Sequence, residues 1–354
     1  MDFELNEEQS AYAEMARIFS KNELAPKAQE WDEKQIFPIK TILKAGELGM
    51  CGLYSPEEQG GLSLSRLDSS IIFEELAKGC TSTTAFITIH NMTTWMVCKF
   101  GSGETKKKWG NLLTSGKALA SYCLTEPGAG SDASAIKTRA VETEKYFTLN
   151  GGKIFSSGAG ETDLLLVFAR TGDLGPSGIS AFAVDSKTPG ISFGRKEKKM
   201  GWNSQPTRSI SFDNVRVSKD TMLGKEGEGF KIAMQGLDGG RINIAACSIG
   251  TAQAAFDQAR DFMHERKQFG KTLAEFQGLR FKLADMNTDL VASRQMVRLA
   301  ASKLDSDHPD KAIYCAMAKR FATDKCFTIC DEALQIFGGI GSIKEYPLER
   351  YLRD

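Results

Sequence analysis

The run Tyr122-Cys-Leu-Thr-Glu-Pro-Gly-Ala-Gly-Ser-Asp132 places five small or turn-forming residues behind a short apolar stretch. A backbone of that kind can approach a ligand closely. Thr125 and Ser131 add hydroxyls that donate or accept, and no residue of the run is basic. It suits a flat polar ring system or an amide chain better than a lone phosphate. Other chemistries find little support. The histidines, His90, His264 and His308, have no second His or Cys at metal-ligand spacing, which argues against a zinc or iron site and against a Ser-His-Asp triad. Gly270-Lys-Thr272 resembles the end of a phosphate-binding loop, but Glu265 stands where its first glycine belongs. Gly128-Ala-Gly130 and Gly339-Ile-Gly341 lack the third glycine of a dinucleotide fingerprint, Ala133 and Lys344 filling those places.

The elements that must position such a loop follow from periodicity. Residues 1–117 read as helices: Asn6-Glu-Glu-Gln opens one, Pro38 marks a boundary, and Ile39, Ile42, Leu43, Ala45 and Leu48 recur at helical spacing. Thr81 to Lys99 is apolar enough for a core helix, with His90 as a satisfied wall or core residue. Residues 118–230 change texture to short β-prone runs at 163–170, 179–184 and 208–217, separated by Gly, Pro and Asp. Asn150-Gly151 is a strong hairpin signal and predicts a turn inside 145–156. From residue 231 long helical patterns return, with Leu279, Leu283, Met286, Leu290, Ser293 and Val297 on one face. The expected architecture is α+β: helical domain, β-barrel or sandwich, helical bundle.

Composition is that of an ordinary globular chain. Lys+Arg and Asp+Glu are both 45, so net charge predicts no nucleic-acid partner, and no apolar run is long enough for membrane insertion. The eight cysteines form no repeated C-x-x-C and sit in apolar patterns, as reduced buried thiols do. The acidic start, Met-Asp-Phe-Glu, has the features of neither a secretory signal nor a transit peptide.

Four glycine-rich or polar segments, 124–132, 155–158, 266–270 and 335–341, together resemble the acyl-CoA dehydrogenase family. One family motif stands as Cys123-Leu-Thr-Glu-Pro-Gly-Ala-Gly-Ser-Asp-Ala-Ser-Ala135, another as the stretch from Gln335-Ile-Phe-Gly-Gly-Ile-Gly341 to Arg353-Asp354. Phe212-Asp-Asn-Val-Arg-Val217, Gly227-Glu-Gly-Phe230 and Arg266-Lys-Gln-Phe-Gly270 lie between them in family order, so the likeness covers essentially the whole chain. Ser342 departs from the aromatic or aliphatic residue usual there. The segments 79–85, 89–92, 199–208 and 238–245 resemble members acting on short branched-chain acyl-CoA, isobutyryl-CoA above all.

The resemblance implies FAD as cofactor, held by Tyr122, Cys123, Leu124, Thr125, Gly130, Ser131, Phe155, Ser156 and Ser157. Arg266, Phe276, Gln277, Gln335, Ile336, Phe337, Gly338 and Gly339 would hold the pyrophosphate and adenosine of a neighbouring subunit's FAD, which makes the protein at least a dimer, and a tetramer when of full family length. Ser131, Leu237, Asp238, Gly239, Gly240 and Arg241 would contact the acyl-CoA. It also implies α,β-dehydrogenation to the enoyl-CoA, reoxidation by electron-transferring flavoprotein, and a mitochondrial matrix location, or a cytoplasmic one in a bacterium. The family's glutamate base follows the pair seen here as Arg353-Asp354 and is expected beyond residue 354, leaving no catalytic residue to assign within the chain and an incomplete bundle. Some relatives carry the base at the position of Gly240, where glycine cannot serve. Two expectations therefore stand: a dehydrogenase of isobutyryl-CoA (or 2-methylbutyryl- or butyryl-CoA), and a non-catalytic FAD- or acyl-CoA-binding protein or assembly partner.

Overall fold

The computed structural model describes residues 4–354. Its first part is helical: α1 (Glu7–Phe19), α2 (Ala28–Glu33), α3 (Ile39–Glu47), α4 (Arg66–Gly79), α5 (Thr81–Phe100) and α6 (Gly103–Thr114). The starts are chemically marked. The Asn6 side chain accepts from Gln9 N while the Gln9 side chain accepts from Asn6 N, a reciprocal cap on α1. Ser65 and Ser102 cap α4 and α6 in the simpler way, each accepting from a backbone N–H of the first turn. Almost every residue of α5 is buried, because helices pack on one side of it and the β-domain on the other.

The β-domain comprises β1 (Ala120–Cys123), β2 (Arg139–Glu142), β3 (Tyr146–Ser157), β4 (Leu164–Arg170), β5 (Ile179–Asp185), β6 (Ile191–Phe193), β7 (Thr207–Ser218) and β8 (Met222–Leu223) in one sheet. The order is β6-β7-β3-β2-β4-β5-β8, and β1 runs parallel to β4 beside its first half. β4 is buried along its whole length, which explains its unbroken apolar sequence Leu-Leu-Leu-Val-Phe-Ala.

The Asn150-Gly151 hairpin is not formed. The backbone passes straight through as the 12-residue β3, and the register against β7 shifts between Leu149 and Gly151. Both residues serve a bulge instead. Gly151 has φ +139° and lies so near β2 that a Cβ would sit 2.7 Å from Thr138 Cα, while Asn150 Oδ1 accepts the Asn214 N–H at 2.8 Å. The 12-residue β7 on one edge and β2 on the other hold the strand extended through a dipeptide whose local preference is to turn.

The last part is α7 (Gly229–Glu265), the small ribbon β9 (Lys267–Gln268) and β10 (Lys271–Thr272), α8 (Gln277–Asp305), α9 (Lys311–Phe337) and α10 (Leu348–Arg353). Met286, Leu290, Ser293 and Val297 of α8 are buried as their spacing predicts, and Leu279 and Leu283 pack against the same core. Small residues let the long helices close up: a Cβ on Gly250 of α7 would lie 2.1 Å from the Glu74 carbonyl oxygen of α4. All eight cysteines are buried and unbridged. No helix is long and apolar enough to cross a membrane among the described residues.

Candidate active site

β1 delivers the chain to the loop 124–132, and a buried ion pair fixes that loop. Glu126 accepts Lys153 Nζ at 2.7 Å and the backbone N–H groups of Lys137 and Thr138 at 2.6 and 3.0 Å. Lys153 Nζ also donates to the Leu124 carbonyl at 3.0 Å, and Ile154 N donates to Thr125 O at 2.9 Å. Burial would raise the Glu126 pKa, but Lys153 and the backbone donors outweigh it and hold the carboxyl below its usual range. The turn itself closes with Glu126 and Ala129 exchanging both backbone hydrogen bonds, which leaves Pro127 and Gly128 at its tip.

A second bulge in β3, between Lys153 and Ser156, turns Phe155 outward. Its φ of +55° is unusual for a bulky residue, and the residue stays 63% exposed. Such strain costs of order 1–3 kcal/mol and gathers at ligand sites. Gly158 follows with φ +79°, where a Cβ would meet the Phe86 ring at 2.5 Å.

These segments face α5 and α7 across a cavity of about 340 Å³. Tyr122, Leu124, Thr125, Ile154, Phe155 and Ser157 form one wall; Thr88, Ile89 and Met92 come from α5, and Leu237, Gly240, Arg241, Asn243 and Ile244 from α7. Trp202 and Lys319 complete the lining. The surface is mainly apolar with a few convergent polar groups, as small-molecule sites are. Among the described residues that line it there is no Asp or Glu. Asp238 stands just outside, paired with Arg241 at 2.6 Å; burial raises its pKa, and Arg241 opposes that.

His90 is structural. It is fully buried, its Nδ1 accepts the Ala120 N–H at 3.2 Å, and its Nε2–H donates to the Leu113 carbonyl at 2.9 Å. Burial lowers its pKa to about 4.

The residues expected at the site divide into groups. Tyr122, Leu124, Thr125, Phe155, Ser157, Leu237, Gly240 and Arg241 meet at the cavity. The Cys123 and Ser156 side chains are buried, Cys123 among Val167, Phe182 and Val184 of the sheet interior, so neither lines it. Gly130 and Ser131 are on the exposed loop rim. Gly239 faces away, toward the Arg66 guanidinium, which a Cβ would approach to 2.5 Å. Arg266, Gln277, Gln335, Gly338 and Gly339 are exposed at the end of the bundle, where Phe262 stacks on the buried Phe337 at 4.1 Å between ring centroids. Ile336 is buried beside Phe337 and Phe276 is half-buried, and none of the eight touches the cavity. Thr88, Ile89, Met92, Ile154, Trp202, Asn243, Ile244 and Lys319 were not expected as lining. Ile154 adjoins a candidate residue, but the others come from helices and a loop whose spacing carries no sign of what they face.

The donor set fits a flavin ring. Tyr122 Oη is buried with no hydrogen-bond partner among the described residues, and the outturned Phe155 offers an aromatic face beside it. Stacking of such a face on a flat ring adds about 0.5–1.5 kcal/mol beyond burial.

Comparison with known proteins agrees. The acyl-CoA dehydrogenase N-terminal, middle and C-terminal domain models match residues 6–117, 121–215 and 227–354. The chain is 51% identical over 350 residues to the mitochondrial isobutyryl-CoA dehydrogenase of Bos taurus, covering 99% of this chain and 84% of that one. It is 50% identical to the mitochondrial isobutyryl-CoA dehydrogenase of Dictyostelium discoideum, with the same coverage. The structure of butyryl-CoA dehydrogenase from Megasphaera elsdenii superposes with a TM-score of 0.96 at 39% identity, covering 100% of this chain and 94% of that one. Three domain models matched in order along the chain, with relatives at about 50% identity over 99% of it, show that it belongs to the acyl-CoA dehydrogenase family of FAD-dependent oxidoreductases.

Proposed function

We propose that this member takes a short branched-chain acyl-CoA, isobutyryl-CoA first, and forms its α,β-unsaturated thioester, methacrylyl-CoA. The observation that carries the substrate class is the small apolar cavity, lined by Met92, Trp202 and Ile244 with Arg241 as its cation. The higher identity to the two isobutyryl-CoA dehydrogenases than to the butyryl-CoA enzyme supports the branched chain.

FAD, when bound, supplies the acceptor for the two electrons and the β-hydrogen. The protein's own part is positioning. Tyr122, Leu124, Thr125, Phe155 and Ser157 would hold the ring system, and the Lys153–Glu126 pair keeps their loop from moving. Leu237 would pack along the thioester arm, with Arg241 at the mouth as a cation for the polar part of CoA and Asp238 holding its guanidinium. The apolar helix faces exclude water, which strengthens each polar contact at the thioester carbonyl. A family glutamate would remove the α-proton, and no lining carboxylate among the described residues takes that role.

That last observation favours a second reading, an FAD- and acyl-CoA-binding protein that does not turn over. Anaerobic mixing of the FAD-loaded chain with isobutyryl-CoA separates the two. Rapid loss of the yellow flavin absorbance supports the dehydrogenase, whereas a shifted but persistent band supports the binding protein. Butyryl-CoA bleaching the flavin clearly faster than isobutyryl-CoA would correct the substrate. Reoxidation by an electron-transferring flavoprotein, a mitochondrial location, and an oligomer in which Arg266 and residues 335–339 serve a neighbour's FAD complete the proposal. Charge reversal at Arg266 releasing FAD without disturbing the fold would support that shared site.

A further inference from the structure

Residues 199–205 form neither helix nor strand, yet are fastened at almost every step. Trp202 has φ +53°, a region that a bulky side chain rarely adopts. Its backbone N–H donates to Asp354 Oδ1 at 2.6 Å, and its indole N–H to the Asp354 carbonyl at 2.7 Å. Gly201 packs so closely that a Cβ would lie 2.0 Å from the Arg353 carbonyl oxygen. Arg353 donates to the Met200 carbonyl at 3.0 Å and to Asp32 Oδ2 at 2.6 Å, and Asn203 Nδ2 donates to Asp32 Oδ1 at 3.0 Å. Ser204 and Ser82 share a hydrogen bond of 2.7 Å. A strained backbone persists only where its surroundings over-determine it. Here α2, α5 and α10 all contribute, so the indole is held as a fixed wall.

Its place in the cavity gives that wall a consequence. α5 and α7 run in opposite directions: the Thr81 and Thr251 hydroxyls meet at 2.7 Å, whereas a Cβ on Gly240 would be 3.1 Å from Met92 Sδ. Leu237 and Arg241 thus line one end of the cavity, and Trp202 and Ile244 the other. Trp202, Ile244 and Lys319 also line a second cavity of about 400 Å³, with Thr81 and Thr251 on its far walls. The indole stands between the two spaces.

We propose that Trp202 is a specificity-determining end wall, positioned by Asp354, that limits the bulk of the acyl group the cavity admits. The proposal rests on the acyl-CoA reading above. Shortening the indole joins the two spaces and gives a wider branched group room, and a pocket distinguishes one methylene by roughly 10–200-fold.

The test is calorimetric titration of the FAD-loaded protein with two thioethers, S-isobutyl-CoA and S-(2-ethylbutyl)-CoA, which lack the carbonyl and so have no acidic α-proton. The unaltered protein is expected to bind the smaller one at least about tenfold more tightly, and Trp202→Ala to bring the two within about twofold. The ratio is insensitive to a partly unfolded sample, and Trp202→Phe, the milder change, is expected to fall between. Asp354→Ala is expected to shift the ratio in the same direction, while Asp354→Asn, which keeps an acceptor oxygen, restores it. An unchanged ratio in both Trp202 variants, or no preference in the unaltered protein, overturns the proposal. Failure of the unaltered protein to bind either thioether overturns the acyl-CoA reading instead, a separate result.

Discussion

Lys153 and Glu126 are each nearly inaccessible to solvent, with side chains 0% and 7% exposed, and their bond determines where Leu124 and Thr125 stand. Removing one charge of such a pair leaves the other buried and uncompensated. Lys153→Met is therefore expected to cost about 3–5 kcal/mol in urea unfolding, far more than removal of an exposed pair. FAD retention on gel filtration should fall with it, because the loop loses its tie to β3. His90 shows a different dependence. Burial lowers its folded pKa to about 4 from 6.5, so below 6.5 the unfolded chain binds a proton that the folded one refuses. Its contribution is complete above pH 6.5 and is lost as pH falls toward 4, by up to ~3 kcal/mol. His90→Gln should flatten the fall in stability between pH 7 and pH 4, as measured by urea midpoints. A parallel fall in both proteins would show that other groups dominate.

At the scale of elements, close helix approach and bulged strands do most of the positioning. Gly250 lets α7 press on α4, and the Cβ of Gly250→Ala would overlap the Glu74 carbonyl, a backbone atom with no rotamer to yield. A loss of about 1–3 kcal/mol is expected, read as a lowered thermal midpoint. Another face of α7 carries Leu237, Gly240, Asn243 and Ile244 into the cavity, so a shift of the helix should also weaken acyl-CoA binding. The helices were legible because apolar residues recur at their period and caps mark their starts. The turn at Asn150-Gly151 was misjudged because a dipeptide reports only its local preference. β2 and β7 pair with both edges of β3 there, and two ladders outweigh one turn.

Across the whole molecule, Asp32 joins the N-terminal helices to the loop before β7 and to α10, through Asn203 and Arg353. Asp32→Ala would leave Arg353 with Glu349 as its one carboxylate partner among the described residues and free the Trp202 loop. About 1.5–3 kcal/mol is the expected loss for hydrogen bonds to charged groups. Calorimetry should then show an earlier transition, with the regions melting less cooperatively. By itself the sequence determined the order of a helical part, a β-domain and a helical bundle, and the motifs that make one wall of the cavity, because period, turn chemistry and contiguous motifs are local properties. Only the tertiary structure decided that Cys123 and Gly239 turn away from the cavity, that Thr88, Met92 and Asn243 turn toward it, and that Asp354 holds Trp202 at its end. Those outcomes depend on which distant segments meet, and packing settles that through excluded volume and buried hydrogen bonds that no spacing along the chain encodes.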